Sequence, residues 1–434
     1  MKRHSARQTI PWLAAAASLM ATSALLPAHA QTPAPPSIPD MWTDTLKFGL
    51  QIQGGILGNP ASPGTGTGGN FGNLFTDKAN DFLLNQILAT ITRPLNPKAT
   101  DYDFGFKLQG MFGTDARYTR WYNFATSQTS RYQFDLVEAN AMVHTPWLTE
   151  GGIDFKAGMY TTPLGAETID PLTNVFYSHS YMFNFGLPLK HTGVLATAHV
   201  TSMVDLYAGF DSGVNTTLFP YQGDNNSSYA FLGGIGLNLM GGDLTILALT
   251  HIGPENTGKA LEPGGPFVPL ANRSNRYYGD VVITWKATTE LTSITEINYV
   301  HDTSPFIGSP SAYGAAQYLT YAISETLTAG VRGEIWRDDK GFFVAGFPRN
   351  TDFNNAFSGR PTGPLVFAPA GGTTYGAITL GVTYKPALSD FNLPGTLMIR
   401  PEIRYDSSLS GNRPYNGGRD IGSFTIGSDI VLTF

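Results

Sequence analysis

The sequence predicts an all-β fold: a closed antiparallel transmembrane β-barrel of about sixteen strands, with short periplasmic turns and long extracellular loops. Three observations carry this expectation. Segments of about ten residues recur in which apolar and polar side chains alternate. The connections between them alternate between short and long. The composition, with 49 Gly, 20 Tyr and 27 Phe but only 14% charged residues, is rich in strand formers and poor in surface charge. A soluble secreted domain of this size normally shows more Lys and Glu. Mean hydropathy does not discriminate, because a lipid-facing row and a polar lumen cancel in the average.

The first element is not part of the barrel. Lys2, Arg3 and Arg7 precede an apolar run over 12–26 and a small-residue exit at Ala28, His29 and Ala30. That is the layout of a cleaved signal peptide over 1–30, so the mature chain is expected to begin near Gln31 in an extracytoplasmic compartment. No later apolar run is long enough to span a bilayer as a helix. There is no cysteine, so disulfides do not stabilise the exported chain. Residues 31–41, QTPAPPSIPDM, are Pro-rich and poorly suited to a strand ladder; they read as a periplasmic linker leading into a barrel over 42–434.

Strands are expected, in chain order, at 45–56, 80–93, 103–113, 132–144, 153–160, 192–200, 203–211 and 229–240. The second half continues with 243–252, 276–286, 291–301, 313–323, 327–337, 375–385, 396–406 and 422–434. In 396–406, TLMIRPEIRYD, one parity holds Leu397, Ile399, Ile403 and Tyr405, and the other Arg400, Glu402, Arg404 and Asp406. Because successive strand side chains point to opposite faces, this makes one apolar and one charged face. Segment 327–338 sets Leu327, Ala329, Val331 and Ile335 against Arg332, Glu334 and Asp338, and 103–113 sets Phe104, Phe106, Leu108 and Phe112 against Lys107 and Gln109. The pattern is blurred at 80–93, 192–200 and 243–252.

Short joins at 201–202, 241–242, 288–290 and 324–326 take turns with long Gly/Pro/Asn-rich loops near 57–79, 161–191, 212–228, 253–275 and 338–374. A membrane barrel must close, because an open sheet edge in hydrocarbon would leave its backbone donors and acceptors bare. The strand near Leu46 is therefore expected to pair with 422–434. There Phe424, Ile426, Ile430, Leu432 and Phe434 share one parity, placing Phe434 in the lipid-facing row at the periplasmic aromatic girdle. A terminal aromatic on such a strand also resembles the signal read by the outer-membrane barrel assembly machinery.

Several stretches carry a family resemblance. The segment GMYTTPLGAETIDPLTNVFYSHSYMFNFGLPLKHTGVLA at 158–196 resembles the signature segment of the OmpL-like β-barrel porin family, and its most specific part is 162–193. DYDFGFKLQGMFGTDARYTR at 101–120, QYLTYAISETLTAGVRGEIWRDDKG at 317–341, LMIRPEIRYD and the closing SDIVLTF are similar to the same family. The resemblance implies a Gram-negative outer-membrane barrel that passes small hydrophilic solutes or ions, embedded in outer-membrane lipid. It brings no catalytic residue, cofactor or metal.

In trimeric general porins the loop at the position of 161–191 folds into the barrel, and fold analogy suggests the same here, together with a homotrimer. Selectivity would then come from charges across the constriction and not from the net charge of -6. The candidate set opposes Glu167 and Asp170 to Lys47, Arg332, Arg400 and Arg404, with Glu334 and Glu402 on the same lumen face. The bland reading stands beside it: any water-filled barrel needs a polar lumen, and Asp170 before Pro171 suits a turn. With both signs on the lumen face, the expectation is a wide, wet channel.

Two other classes remain open. An outer-membrane enzyme of lipase or protease type would need a Ser/His/Asn or Asp/His group converging at one rim, and chance alone can place Ser180 near His179. A surface-binding barrel with a plugged lumen would use aromatic-rich loops such as 341–368. Gly64 to Gly69 fits G-x-G-x-x-G, but no helix opens after it, so a surface loop is expected. The histidines after the signal segment, His144, His179, His191, His199, His251 and His301, are scattered; a metal held by His179 and His191 is conceivable, but solvated loop histidines are the commoner case. No nucleic acid partner is expected.

Overall fold

The computed structural model describes residues 45–64, 69–121, 130–217, 228–255, 274–303, 308–344, 371–386, 388 and 395–434. The expected signal peptide and Pro-rich linker, most of the G-x-G-x-x-G stretch and most of 341–368 lie outside them. Sixteen strands are present among the described residues. The first eight are β1 (Lys47–Gly58), β2 (Phe82–Arg93), β3 (Asp103–Gly113), β4 (Gln133–Thr145), β5 (Ile153–Thr161), β6 (Lys190–Thr201), β7 (Val204–Asp211) and β8 (Ala230–Leu239). The second eight are β9 (Leu244–Pro254), β10 (Asn275–Lys286), β11 (Leu291–Asp302), β12 (Ser311–Ala322), β13 (Leu327–Asp338), β14 (Thr373–Tyr384), β15 (Thr396–Ser408) and β16 (Gly422–Thr433). Every end agrees with its sequence-based expectation to within two residues, because alternation persists until the chain reaches Gly, Pro and Asn.

Each strand pairs antiparallel with the next, and β16 pairs with β1 to close the ring. Ile52 faces Leu432 and Gly54 faces Ile430. The seam extends to Phe434, whose N–H donates to the Leu50 carbonyl at 2.8 Å and whose carbonyl accepts the Leu50 N–H at 3.2 Å. No backbone edge is left facing lipid along this seam, as a bilayer demands.

Alternation has the expected sense. On β15, Arg400, Glu402, Arg404 and Asp406 are buried inside, while Ile403 and Tyr405 face outward. Exposed aromatics collect at two levels of the outer surface. Phe48, Trp147, Trp285, Tyr321, Tyr384 and Phe434 mark the short-turn rim, and Phe112, Phe134, Phe210, Phe231, Tyr299, Tyr405 and Phe424 the long-loop end. Aromatic girdles at both water interfaces are what a membrane-spanning barrel presents.

The interior departs from the expected wide, wet channel. Three chain segments turn into the lumen: 69–81 after β1, a stretch after β3 with one helical turn at Ala116–Thr119, and the connection from β5 to β6 with a π-helical turn at Met182–Gly186. Phe75, Tyr118, Tyr181, Met182, Phe183 and Phe185 join one buried cluster there. Phe75 packs on both Tyr118 and Phe183, with ring centroids 5.2 and 5.4 Å apart. A β-bulge makes room for one of these contacts. The β1–β2 register slips at Gln53/Gly54, and both Asn85 and Gln86 are buried, donating to the two Asp115 carboxylate oxygens at 2.9 and 3.0 Å. Sequence alternation reports only the wall, so a lumen filled by loops was not visible in it.

Candidate pore constriction

The connection 162–189 is positioned by glycines at both ends. Gly165 has φ +93°, a conformation side chains rarely adopt, and a Cβ there would stand 2.2 Å from Leu187 Cδ1. Gly186 lies so close to the far wall that a Cβ would approach Asn298 Oδ1 to 2.3 Å and the Trp336 ring to 2.6 Å. Between them the chain crosses the lumen.

Beyond its flanking strand β6, the loop is hydrogen-bonded to wall strands β1, β2 and β10 to β15. The Gly165 N–H donates to Asp280 Oδ1 at 3.0 Å, and Asn298 Nδ2 donates to the Gly186 carbonyl at 3.1 Å and to Asp280 Oδ2 at 2.9 Å. Arg400 Nη1 donates to the carbonyls of Pro171 and Asn174 at 2.8 and 2.7 Å. Glu402 accepts the Tyr177 N–H at 2.8 Å and the Ser178 N–H at 3.2 Å, and Glu334 accepts the Tyr181 N–H at 2.7 Å. Wall carboxylates thus cap loop donors and a wall guanidinium caps loop acceptors, as buried backbone groups require.

Glu167 is the centre of this docking. Its carboxylate accepts from Arg332 Nη1 at 2.6 Å, Tyr318 Oη at 2.9 Å and the Ser180 N–H at 3.0 Å, and lies 2.9 Å from His179 Nδ1. Burial alone would raise the Glu167 carboxyl, but the Arg332 charge, His179 and the Ser180 N–H outweigh it and hold it at about 2. Tyr181 goes the other way: burial, reinforced by Asp406, pushes its hydroxyl well above the ordinary tyrosine value.

The structure brings Glu167 and Arg332 together and gives most of the other candidate residues other partners. Arg400 pairs with Asp429, at 2.9 Å from Nε, a residue absent from the candidate set. Arg404 pairs with Glu334 and Asp406, both at 2.7 Å, on its own face of the wall. Glu334 also lies 3.2 Å from Arg332, so the two arginines share it. Asp170 faces no arginine side chain; it accepts from Gln51 Nε2 and from the Leu172 N–H, both at 3.0 Å, so it serves the turn and one wall amide. Lys47 is exposed at the start of β1 and is not brought to the group. Parity told which side chains face inward, but nothing local in the sequence told which strand ends up beside which loop residue.

Two groups escaped sequence reading. Lys107 and Glu138 pair at 2.7 Å on β3 and β4, and the Lys107 side chain keeps 20% of its exposure whereas Arg332 and Arg404 keep none. Lys190 is fully buried at the entry to β6, 2.6 Å from Asp135 and 4.1 Å from the Trp121 ring centroid. The Ser180 and His179 pair forms no catalytic group: Ser180 Oγ accepts the Phe183 N–H at 3.1 Å while His179 Nδ1 faces Glu167. His179 and His191 are likewise held apart on different partners, His191 Nε2 lying 3.0 Å from Thr162 Oγ1.

Comparison with known proteins places the chain. Residues 45–434 match the family described as "Putative beta-barrel porin-2, OmpL-like". Among solved structures, the chain is similar to the outer membrane channel DcaP of Acinetobacter baumannii, at 13% identity and a TM-score of 0.52 over 90% of this chain and 97% of that one. It is also similar to an anion-selective porin from Comamonas acidovorans, at 8% identity and a TM-score of 0.54 over 90% and 99%. A third similar structure is Salmonella typhi OmpF in complex with daunomycin, at 9% identity and a TM-score of 0.51 over 90% and 97%. At these identities the structures speak for the fold alone. No curated protein sequence matches.

Proposed function

Since the chain belongs to the OmpL-like β-barrel porin family of outer-membrane channels, we propose that it is a narrow, charge-lined porin whose constriction is the docked loop 162–189. The observation that carries this reading is the Glu167 carboxylate bridging the loop to Arg332 in the middle of the wall. Arg400, Arg404, Glu334 and Glu402 act with it as the docking face, and Asp170 acts through Gln51. Solutes pass the loop on the side of β3 to β5, where Lys107 keeps part of its exposure and Lys156 is half-buried. That side favours small hydrophilic solutes or ions over bulky ones, since the opposite side is closed by buried ion pairs.

The reading extends to the chain's surroundings. Signal-peptide cleavage near Gln31, assembly by the barrel machinery and a homotrimer belong to it. A shallow outer hollow of about 370 Å³, floored by Gly233, Thr250 and Gly279 and flanked by Ile297 and Tyr299, supports close contact with a second barrel. Conductance in planar bilayers, with reversal potentials in salt gradients, tests the channel. Folded protein that conducts no current would favour instead the surface-binding barrel with a plugged lumen.

A further inference from the structure

Away from the docked loop, three inward side chains converge at the long-loop ends of β6, β7 and β9. The register brings them together: Gly193 faces Asp211, Asp211 faces Ala230, and Leu232 faces His251, with His191 two residues before Gly193 on β6. A Cβ on Gly193 would stand 2.8 Å from Asp211 Cβ, so glycine there leaves room for Asp211. His191, Asp211 and His251 are all essentially fully buried.

Both imidazoles aim one nitrogen at the same carboxylate. Asp211 Oδ2 lies 3.1 Å from His191 Nδ1, and Asp211 Oδ1 lies 3.0 Å from His251 Nε2. The second oxygen, Oδ2, is 3.2 Å from His251 Nε2. Despite its approach, His191 Nδ1 forms no hydrogen bond, so it is a buried nitrogen aimed into the cluster without a properly aligned partner. One ligand atom from each residue lies within 4.8 Å of the others.

The remote nitrogen of His191 is oriented as in metal-bound histidines, whereas that of His251 makes no hydrogen bond. Such histidines turn their other ring N–H to a hydroxyl, carbonyl or carboxylate, which fixes the tautomer. His191 Nε2 lies 3.0 Å from Thr162 Oγ1. His251 Nδ1 lies 3.7 Å from Glu255 Oε1, and the Glu255 carboxylate is itself fixed by the Val214 N–H at 2.9 Å.

We propose that His191 Nδ1, His251 Nε2 and an Asp211 carboxylate oxygen form a binding site for a divalent transition-metal ion of the zinc class. With metal–ligand bonds of about 2.0–2.1 Å, a tetrahedral site has ligand–ligand edges of roughly 3.3 Å. The nitrogen–oxygen edges of 3.0 to 3.2 Å are close to that value. The widest edge, at most 4.8 Å, closes by small rotations of the rings. Two imidazoles and one carboxylate favour zinc, copper or nickel over calcium or magnesium, which prefer oxygen-only shells. Three protein ligands leave one position for water. The ion cross-links three wall strands and, through Thr162, the point where the lumen loop begins.

The test uses the folded full-length barrel in detergent, stripped of metal and titrated with Co²⁺. Visible d–d absorption and bound-metal analysis are the readouts, and Zn²⁺ is the competitor. Wild type takes up one ion per chain with a four-coordinate spectrum; His191→Ala and His251→Ala abolish stoichiometric uptake. Thr162→Val weakens binding by about 10–100-fold. His301→Gln, at a site where the ring faces Ser311 Oγ at 2.8 Å, leaves uptake unchanged. Folded wild type that takes up no Co²⁺, shows a six-coordinate spectrum, or loses none of its uptake in the two alanine variants overturns the site. If those variants fail to assemble, the wild-type stoichiometry and spectrum decide by themselves.

Discussion

Replacing Glu167 by Gln keeps the shape of the side chain and removes its charge. Arg332 then keeps the Ser178 carbonyl at 2.8 Å, the Ser178 and Thr379 hydroxyls at 3.3 and 3.2 Å, and as its one carboxylate Glu334 at 3.2 Å, already held by Arg404 at 2.7 Å. Breaking a buried ion pair from one side costs about 3–5 kcal/mol. With Glu334 still partly compensating Arg332, the lower end, about 3 kcal/mol, applies. Each 1.4 kcal/mol is tenfold in an equilibrium, so the undocked fraction of the loop rises roughly 150-fold. Single-channel recording should therefore show larger or noisier openings than wild type, and protease should cut within 162–189 faster. The same reasoning fixes a pH limb. Because the folded carboxyl sits at about 2, below its ordinary 4.5, its contribution is complete above pH 4.5 and is lost as pH falls through 2. Conductance should hold steady from pH 7 to 5 and change at strongly acid pH; in Glu167→Gln that acid transition should be absent. A variant with wild-type conductance, protease resistance and acid response would refute the claim that this ion pair docks the loop.

Three further outcomes are expected. The double variant Arg400→Ala/Arg404→Ala leaves Asp429 and Asp406 without their paired cations and Glu334 with Arg332 alone, so reversal potentials should shift toward cation selectivity; an unchanged potential would remove these arginines from the selectivity-determining surroundings of the pore. Lys190→Met strands the buried Asp135, which retains only Thr119 Oγ1 at 2.7 Å among its hydrogen bonds described here, and should lower stability by about 3–5 kcal/mol; a denaturant midpoint equal to wild type would contradict that. Deleting Phe434 removes two seam hydrogen bonds, each of net worth about 0.5–1.5 kcal/mol, so the amount of assembled barrel should fall while the conductance of each assembled channel stays the same; normal levels in the outer membrane would count against it.

The wall was legible in the sequence because a barrel strand has only two faces, and both are written in alternate residues such as Arg400 to Asp406 against Ile399 to Tyr405. The closing pair of β1 and β16 followed from the need to leave no edge in hydrocarbon. Glu167 and Arg332 could be named because one sits in a long loop and the other has inward parity; that the two meet is read from the structure. Asp429, Lys107 and the His191, Asp211 and His251 cluster were not found, because their partners depend on strand register or on loops that fold inward, and neither leaves a local periodic mark. Of the segments inside the lumen only the β5–β6 loop was expected there; the inward course of 69–81 and of the stretch after β3 was missed for the same reason. Phe75 and Phe183 look like loop aromatics until the closed wall supplies an interior for them.

Most of the stitches that hold the lumen loop run to strands that come later in the chain, beside a few to β1 and β2. Gly165 waits for Asp280, Glu167 for Arg332, and the Pro171 carbonyl for Arg400, separations of 115, 165 and 229 residues. Closing such long loops is entropically expensive and slow compared with forming neighbouring hairpins. The loop therefore finds its final place only after the last third of the wall exists. The throat is complete only when strands up to β15 stand in place to receive it.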